Sequence, residues 1–227
     1  RKMKAPNLIP MLTYQDKTVT NALELFRQCA DLPCRYWGFK DIGITKAKLK
    51  SLVEVMKASQ KKVCLEVVSL KEKEALEAAH LAVEYQIDYL LGTVFHNRVS
   101  SFLQNKSVKY FPFCGKVEGH PSILKGKRAD IINNAEELEK KAVDGLDVLA
   151  YRFIDNKEKL ISNLLEKVKK PLVIAGSISN FDRINKLIKF KPWAFTIGTA
   201  FFEKKFKPDG TFRDQIMTVW EYLDKVK

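Results

Sequence analysis

The chain has 227 residues, of which 46% are hydrophobic, and its formal net charge is +13 at pH 7. This length suits one domain, and we expect a single domain over residues 1–227. No apolar stretch is long enough to span a bilayer, and the basic start lacks the apolar segment of a signal peptide, so we expect no membrane association and a cytoplasmic location.

Strand and helix patterns alternate along the whole sequence. The apolar stretches that predict strands are 8–13, 36–39, 62–68, 88–92, 108–113, 146–151, 172–175 and 194–197. Helical spacing predicts helices at 19–29, 45–58, 71–85, 99–103, 135–143, 157–168, 181–188 and 212–223. We expect Thr45 and Ser69 to cap the second and third helices. Strict alternation requires a parallel sheet with helical crossovers.

The positive charge has two interpretations, attraction of anionic ligands or nucleic acid and a solvated lysine-rich surface. The lysines are spread over nearly every predicted helix, without a basic tail or an arginine-rich arm. We therefore expect a solvated surface with a modest attraction for phosphorylated substrates, and no specific nucleic-acid binding.

Glycine follows each of the last two predicted strands. The strand at 172–175 runs into Gly176 and Ser177, and the strand at 194–197 runs into Gly198 and Thr199. Glycine lets the backbone approach an anion closely, and the N–H groups that open the next helix point at it. These four residues predict a phosphate-binding site. No Gly-x-Gly-x-x-Gly follows the first strand, which disfavours an open dinucleotide-binding sheet.

This pair of motifs resembles the phosphate-binding (β/α)8 barrels, a superfamily of sugar-phosphate epimerases, decarboxylases, synthases and isomerases. The resemblance implies a single (β/α)8 TIM barrel with phosphate-binding loops after strands 7 and 8. It also implies that Gly176, Ser177, Gly198 and Thr199 contact the phosphate. The chain departs from the family pattern in its single first-loop glycine, in a first strand without an acid, and in a third strand that ends at Glu66 without Asp-x-Lys. The resemblance therefore names no particular reaction.

Lys40 and Glu66 are the first candidate catalytic residues. Glu66 is the one charged residue in the otherwise apolar stretch 63–68 of the third strand, and alternation points its side chain into the barrel. Lys40 ends the neighbouring strand and could pair with Glu66, form an imine or polarise a carbonyl. The alternatives are a rim ion pair between Lys40 and Asp41 and a purely structural role for Glu66.

Arg152 and His96 are two further candidate catalytic residues. Arg152 follows the sixth strand and could clamp a carboxylate or a second anionic group of the substrate. The alternative for Arg152 is an ion pair with Asp155. His96 follows the fourth strand and could act as a general acid or base, or it could line a loop without a catalytic role.

The long stretch at 114–133 carries Lys116, Glu118 and His120. Long loops in compact domains are often lids or binding loops, so we interpret it as a substrate-covering loop, with an excursion without function as the alternative. Scattered histidines and acids do not predict a metal site, and no motif predicts a cofactor. The cysteines form no metal-binding pair and are expected to be reduced, with Cys114 either reactive or buried.

Together these patterns predict an enzyme of carbohydrate metabolism that acts on a small phosphorylated metabolite, a sugar phosphate or a phosphorylated keto acid. Its chemistry would be that of a lyase, aldolase, isomerase or epimerase. The alternative is a non-catalytic regulator that binds such a metabolite and signals to RNA or protein, or a subunit that has lost catalysis. Assembly into a homo-oligomer stays open.

Overall fold

The computed structural model describes residues 5–226. Eight parallel strands form the central sheet: β1 (Asn7–Pro10), β2 (Tyr36–Lys40), β3 (Lys62–Val67), β4 (Tyr89–Val94), β5 (Lys109–Phe113), β6 (Leu146–Val148), β7 (Leu172–Ile174) and β8 (Ala194–Ile197). The longer helices are α1 (Ala22–Cys29), α2 (Lys46–Ala58), α3 (Glu72–Glu84), α4 (Asn97–Leu103), α5 (Arg128–Glu139), α6 (Lys157–Lys167), α7 (Phe181–Phe190) and α8 (Phe212–Lys225). No helix within residues 5–226 is both long enough and apolar enough to cross a bilayer.

The sheet closes into a barrel. Each strand pairs with the next one in the chain from β2 through β8, and β8 pairs with β1. Closure between β1 and β2 comes from a parallel bridge between Met11 and Gly38, where the Leu12 N–H donates to the Gly38 carbonyl at 2.8 Å. The predicted (β/α)8 barrel is confirmed.

The first and fifth loops differ from the prediction. β1 ends at Pro10 rather than continuing to residue 13, and a small hairpin (Thr13–Tyr14 with Lys17–Thr18) follows it. After β5, the predicted unstructured stretch contains a second hairpin (Lys116–Glu118 with Ile123–Lys125), and α5 begins at Arg128 rather than at residue 135. The sequence pattern did not predict either hairpin, because strands of two or three residues are too short to show an alternating period.

Two smaller predictions concern helix capping, and one of them is wrong. The Thr45 side chain accepts a hydrogen bond from the Lys48 N–H at the start of α2, as predicted. Ser69 does not cap α3, whose N-cap residue is Lys71. The sixth strand is also shorter than predicted. β6 ends at Val148 rather than at residue 151, and a 3₁₀ turn over Ala150–Arg152 follows it.

The barrel interior is filled by side chains. An apolar cluster inside the sheet consists of Ile9, Met11, Tyr36, Cys64, Leu91, Phe111, Val173 and Ala194, with Tyr89 and Trp193 packed against it. Strand alternation sends Lys40, Glu66, Asp147 and Thr196 to the same inner face, where all four are buried. The interior thus combines an apolar cluster with polar and ionisable groups that need partners inside the protein.

Candidate functional site at the carboxyl ends of the strands

A cavity of about 470 Å³ opens at the carboxyl ends of the barrel strands, the face where barrels of this kind carry their active sites. The structure brings most of the predicted site residues together there: Lys40, Glu66, Arg152, Gly176, Ser177, Gly198 and Thr199 line the cavity. His96, Lys116, Glu118 and His120 do not line it. The cavity therefore contains the predicted phosphate loops together with three of the four predicted catalytic side chains.

Lys40 lies between two carboxylates inside the cavity. Its Nζ is 2.8 Å from Glu66 Oε1 and 3.0 Å from Asp16 Oδ1, and the three side chains are buried. The predicted pairing with Glu66 is confirmed, whereas the rim ion pair with Asp41 is not formed. Although burial disfavours the charged form, the Glu66 and Asp16 carboxylates raise the pKa of Lys40. Lys40 is therefore an ammonium ion held at a fixed place.

Asp16 joins Lys40 to Arg152. The guanidinium binds the Asp16 carboxylate with two hydrogen bonds of 2.6 and 2.8 Å, and the Ser122 N–H donates to the same carboxylate at 3.2 Å. Burial opposes ionisation, but the hydrogen bond from Arg152 and the charge of Lys40 hold the pKa of Asp16 well below its usual value. The alternative ion pair between Arg152 and Asp155 is not formed.

Sequence reasoning missed Asp16. The residue sits in the turn of the first hairpin, where both Gln15 and Asp16 have positive φ angles, 49° and 63°. A turn at this point folds Asp16 back over the barrel, so a loop residue provides the acid that β1 itself lacks. The one available signal was a Gln-Asp pair between two short polar stretches, which does not by itself predict a buried carboxylate.

Sequence reasoning also missed Asp147, which is fully buried at the centre of β6. Neither of its carboxyl oxygens receives a hydrogen bond from a described residue. Burial, together with the nearby Glu66 carboxylate, raises the pKa of Asp147 well above its usual value. The available signal was an acid flanked by Leu146 and Val148 in a predicted strand, the same pattern that identified Glu66.

The two predicted phosphate loops expose backbone donors. No described residue accepts a hydrogen bond from the N–H groups of Ser177, Ile178 or Gly198. Gly176 and Ser177 both have positive φ angles, 78° and 57°, and the Arg183 side chain donates to the Ser177 carbonyl. Backbone N–H groups in such a turn and at a helix start favour an anion, which agrees with the predicted phosphate site.

The two glycines also make room for neighbouring side chains. A Cβ atom on Gly176 would lie 2.7 Å from Arg152 Nε, and one on Gly198 would lie 2.5 Å from Thr13 Oγ1. Arg152 therefore crosses the first phosphate loop, where its Nε also donates to Ser177 Oγ at 3.3 Å. A guanidinium beside N–H groups without an acceptor places a charged donor at the predicted phosphate site.

A Gly176→Ala substitution tests this packing. Gly119→Ala is a matched control, because Gly119 has the same φ of 78° and the nearest atom to its added Cβ, Pro121 O, lies at an ordinary 3.4 Å. We expect the control to lose about 1–2 kcal/mol of unfolding free energy in urea titrations, the cost of a left-handed alanine. Gly176→Ala should lose more, since its Cβ also displaces Arg152. Equal losses would contradict this packing.

The remaining candidates lie outside the cavity. The His96 ring contacts the Leu70 carbonyl at 3.2 Å, in the loop before α4. Glu118 pairs with Lys116 and Lys125 across the second hairpin, at 2.8 and 2.9 Å. The tip of this hairpin nevertheless reaches the cavity through other residues, because Pro121 and Ile123 line it and the Ser122 carbonyl accepts from Arg152.

Within residues 5–226, no group of three His, Cys, Asp or Glu side chains is placed to hold a metal ion. None of the four cysteines forms a disulfide, and all four are buried. Burial raises the pKa of Cys114 to about 12, so of the two predicted alternatives for this thiol the structure favours packing over reactivity.

No protein-family model matches the chain. No curated protein matches it either.

Solved structures share its fold at low sequence identity. The tryptophan synthase alpha chain from Legionella pneumophila is 15% identical with a TM-score of 0.66, and the match covers 97% of this chain and 92% of that one. The N-acetylmannosamine-6-phosphate 2-epimerase from Clostridium perfringens is 11% identical with a TM-score of 0.64, and the match covers 97% and 94%.

A third similar structure is the glycerol uptake operon antiterminator regulatory protein from Listeria monocytogenes. It is 16% identical with a TM-score of 0.61, and the match covers 85% of this chain and 91% of that one. These likenesses confirm that the chain has the barrel fold expected from its resemblance to the phosphate-binding barrels. The three proteins carry the names of two enzymes and a regulator, so the shared fold does not select a function.

Proposed function

We propose that this protein is an enzyme that enolises a small phosphorylated carbonyl compound, a sugar phosphate or a phosphorylated keto acid. Enolisation serves isomerisation, epimerisation and carbon–carbon cleavage alike. The observation that carries the proposal is the buried pair of Lys40 and Glu66, 2.8 Å apart, in a cavity whose wall also presents free backbone N–H groups.

The phosphate would bind at the ends of β7 and β8. The N–H groups of Ser177, Ile178 and Gly198 have no acceptor among the described residues, and the Ser177 hydroxyl and Arg152 lie beside them. A group held by several fixed donors positions the rest of the molecule and lowers the entropic part of the barrier. The carbonyl end would then lie in the part of the same cavity that Lys40 and Glu66 line.

The chemistry assigns one role to each of these two side chains. The Glu66 carboxylate removes a proton from the carbon beside the carbonyl. The electron pair of the broken C–H bond forms the C=C bond of the enolate, and the π pair of the carbonyl moves onto its oxygen. The Lys40 ammonium stabilises the resulting oxyanion. Returning the proton to the same carbon completes one exchange. Where a hydroxyl group stands beside the carbonyl, transfer of its proton to the other enediolate oxygen lets Glu66 protonate the former carbonyl carbon, which moves the carbonyl without an oxidant or reductant.

Lys40 fits an electrostatic role better than imine formation. An imine needs a neutral amine, but the carboxylates of Glu66 and Asp16 both contact Nζ and raise the pKa of Lys40. Deprotonation would leave two buried carboxylates with one fewer positive partner, which is costly. We therefore expect borohydride to trap no adduct at Lys40.

Ligand screening tests the phosphate site. We expect sugar phosphates or phosphorylated keto acids to raise the melting temperature. At a ligand concentration of a hundred times Kd, binding should add about 2.7 kcal/mol to the free energy of unfolding. The matched unphosphorylated compounds should produce no shift. A shift that does not depend on the phosphate would place the binding site elsewhere.

Exchange of a carbon-bound hydrogen of the ligand with solvent distinguishes an enzyme from a non-catalytic regulator. A bound substrate that is enolised should incorporate deuterium from D₂O at the carbon beside its carbonyl, which NMR measures directly. Binding without exchange or turnover for every candidate would indicate the non-catalytic regulator instead. A cytoplasmic location is part of the proposal, since none of the four cysteines forms a disulfide, as is usual in a reducing compartment.

A further inference from the structure

The carboxyl group of Asp147 has no role in the proton transfer described above. Its side chain points into the barrel, because its neighbours Leu146 and Val148 belong to the apolar cluster outside the sheet. It is completely buried, and no described residue donates a hydrogen bond to either oxygen. An ionised carboxylate in that position would pay a large desolvation cost without compensation.

The charges around Asp147 come from several elements of the barrel. Glu66 on β3 is within hydrogen-bonding reach of the Asp147 carboxyl group and raises its pKa, whereas the charges of Lys40 on β2 and of Arg152 after β6 act to lower it. The Cys64 thiol on β3 belongs to the apolar cluster inside the barrel, and the Asp147 charge contributes to raising its pKa. Cys114, after β5, belongs to the outer cluster, and the Asp147 charge likewise contributes to raising its pKa.

The ion pairs of the cavity leave Asp147 without a cation. Lys40 contacts Asp16 and Glu66, and Arg152 binds Asp16. Two cations are thus neutralised by two carboxylates, and a third negative charge in the interior would be unpaired. The arrangement is electrically neutral when Asp147 carries a proton.

We propose that Glu66 and Asp147 form a carboxyl pair that holds one shared proton, with Asp147 as a positioning residue whose O–H donates to Glu66. In this arrangement the Glu66 carboxylate is held from one side by Lys40 and from the other by Asp147. Neighbouring carboxyl groups commonly share a proton, because two adjacent negative charges repel each other. Burial and the Glu66 charge both raise the pKa of Asp147, in agreement with a proton on this residue.

Gly92 on β4 makes room for this pair. A Cβ atom at Gly92 would lie 2.9 Å from Glu66 Cγ and 2.8 Å from the Val67 carbonyl. A side chain at this position would push Glu66 away, so the backbone of β4 helps to fix where the Glu66 carboxyl lies.

The consequence for catalysis rests on the proposed function. When Glu66 accepts a proton from the substrate, the site gains one positive charge while the enolate gains one negative charge. Because Asp147 stays protonated throughout, the buried groups and the enolate remain neutral as a set. An ionised Asp147 would instead repel the enolate.

Infrared spectroscopy of the full-length protein tests the shared proton without any substrate. An un-ionised carboxyl group has a C=O stretch separate from the carboxylate bands and sensitive to D₂O. We expect the wild type to show this band at neutral pH and Asp147→Asn to lose it. Asp155→Asn is the matched control, since Asp155 is exposed and should leave the band unchanged.

Two further variants separate positioning from packing. Glu66→Gln should keep the band at a shifted frequency, because Asp147 keeps its proton but donates to an amide. Asp147→Asn retains a neutral hydrogen-bond donor and should keep most of the substrate exchange rate. Asp147→Val has no donor and should lose most of that rate, while its melting temperature shows that it still folds. A wild type without the band, or Asp147→Asn with the band intact, would overturn the proposal even if the enzyme proves active.

Discussion

Replacing Asp16 with alanine should lower the free energy of unfolding by about 3–5 kcal/mol, the cost of removing one partner from a buried ion pair. The Asp16 carboxylate accepts hydrogen bonds from Lys40, Arg152 and the Ser122 N–H. Alanine would leave the Arg152 guanidinium without its ion-pair partner and Lys40 with Glu66 alone. It would also release the first hairpin from the second, so part of the cavity wall should loosen.

Denaturant titration measures this loss, and Asp31→Ala is the matched control. Asp31 also binds an arginine through two hydrogen bonds, of 2.6 and 2.7 Å to Arg213, but on the surface. Exposed pairs contribute little to stability, so this variant should unfold nearly as the wild type does. Similar behaviour of the two variants would contradict a stabilising role for the buried carboxylate.

The effect of Asp16 should depend on pH. Because its pKa is lowered in the folded protein, its contribution is complete above the unfolded pKa of about 3.9 and is lost as the pH falls further. The difference between wild type and Asp16→Ala should therefore be constant near neutrality and shrink below about pH 4. A difference that grows on acidification would contradict this sign.

Glu66→Gln should reduce substrate hydrogen exchange by about 10²–10⁴-fold, the usual contribution of a positioned general base. Glutamine keeps an oxygen that accepts a hydrogen bond from Lys40 but cannot take a proton from carbon. The phosphate donors lie on β7 and β8 loops that this substitution does not touch. The melting shift with phosphorylated ligands should therefore persist.

His96→Gln provides the control for this second experiment. His96 was the one predicted acid–base residue that lies outside the cavity, and its ring contacts the Leu70 carbonyl. This variant should exchange substrate protons at the wild-type rate. Full exchange in Glu66→Gln would assign the base to another residue.

The cavity residues show which features of the site a local sequence pattern predicts and which it does not. A carboxylate among apolar residues of a strand predicted both the burial of Glu66 and its partner Lys40. The same rule applied to Asp147, but the predicted strand extended to residue 151, and the site prediction there rested on Arg152 at its end. His96 followed a strand as the other candidates do, yet the chain turns away from the cavity before α4, and no local pattern reports that direction.

What the sequence determined by itself is the barrel fold, together with the loops in which we propose the phosphate site. Alternating apolar periods fix strands and helices, parallel strands need crossovers, and glycine at Gly176 and Gly198 identifies the loops after β7 and β8. Only the tertiary structure decided that Asp16 joins the Lys40–Glu66 pair and binds Arg152. Asp16 reaches Lys40 and Arg152 across sequence separations of 24 and 136 residues. Such pairings follow from the closure of the barrel and from a two-residue turn, and neither produces a periodic pattern in the sequence.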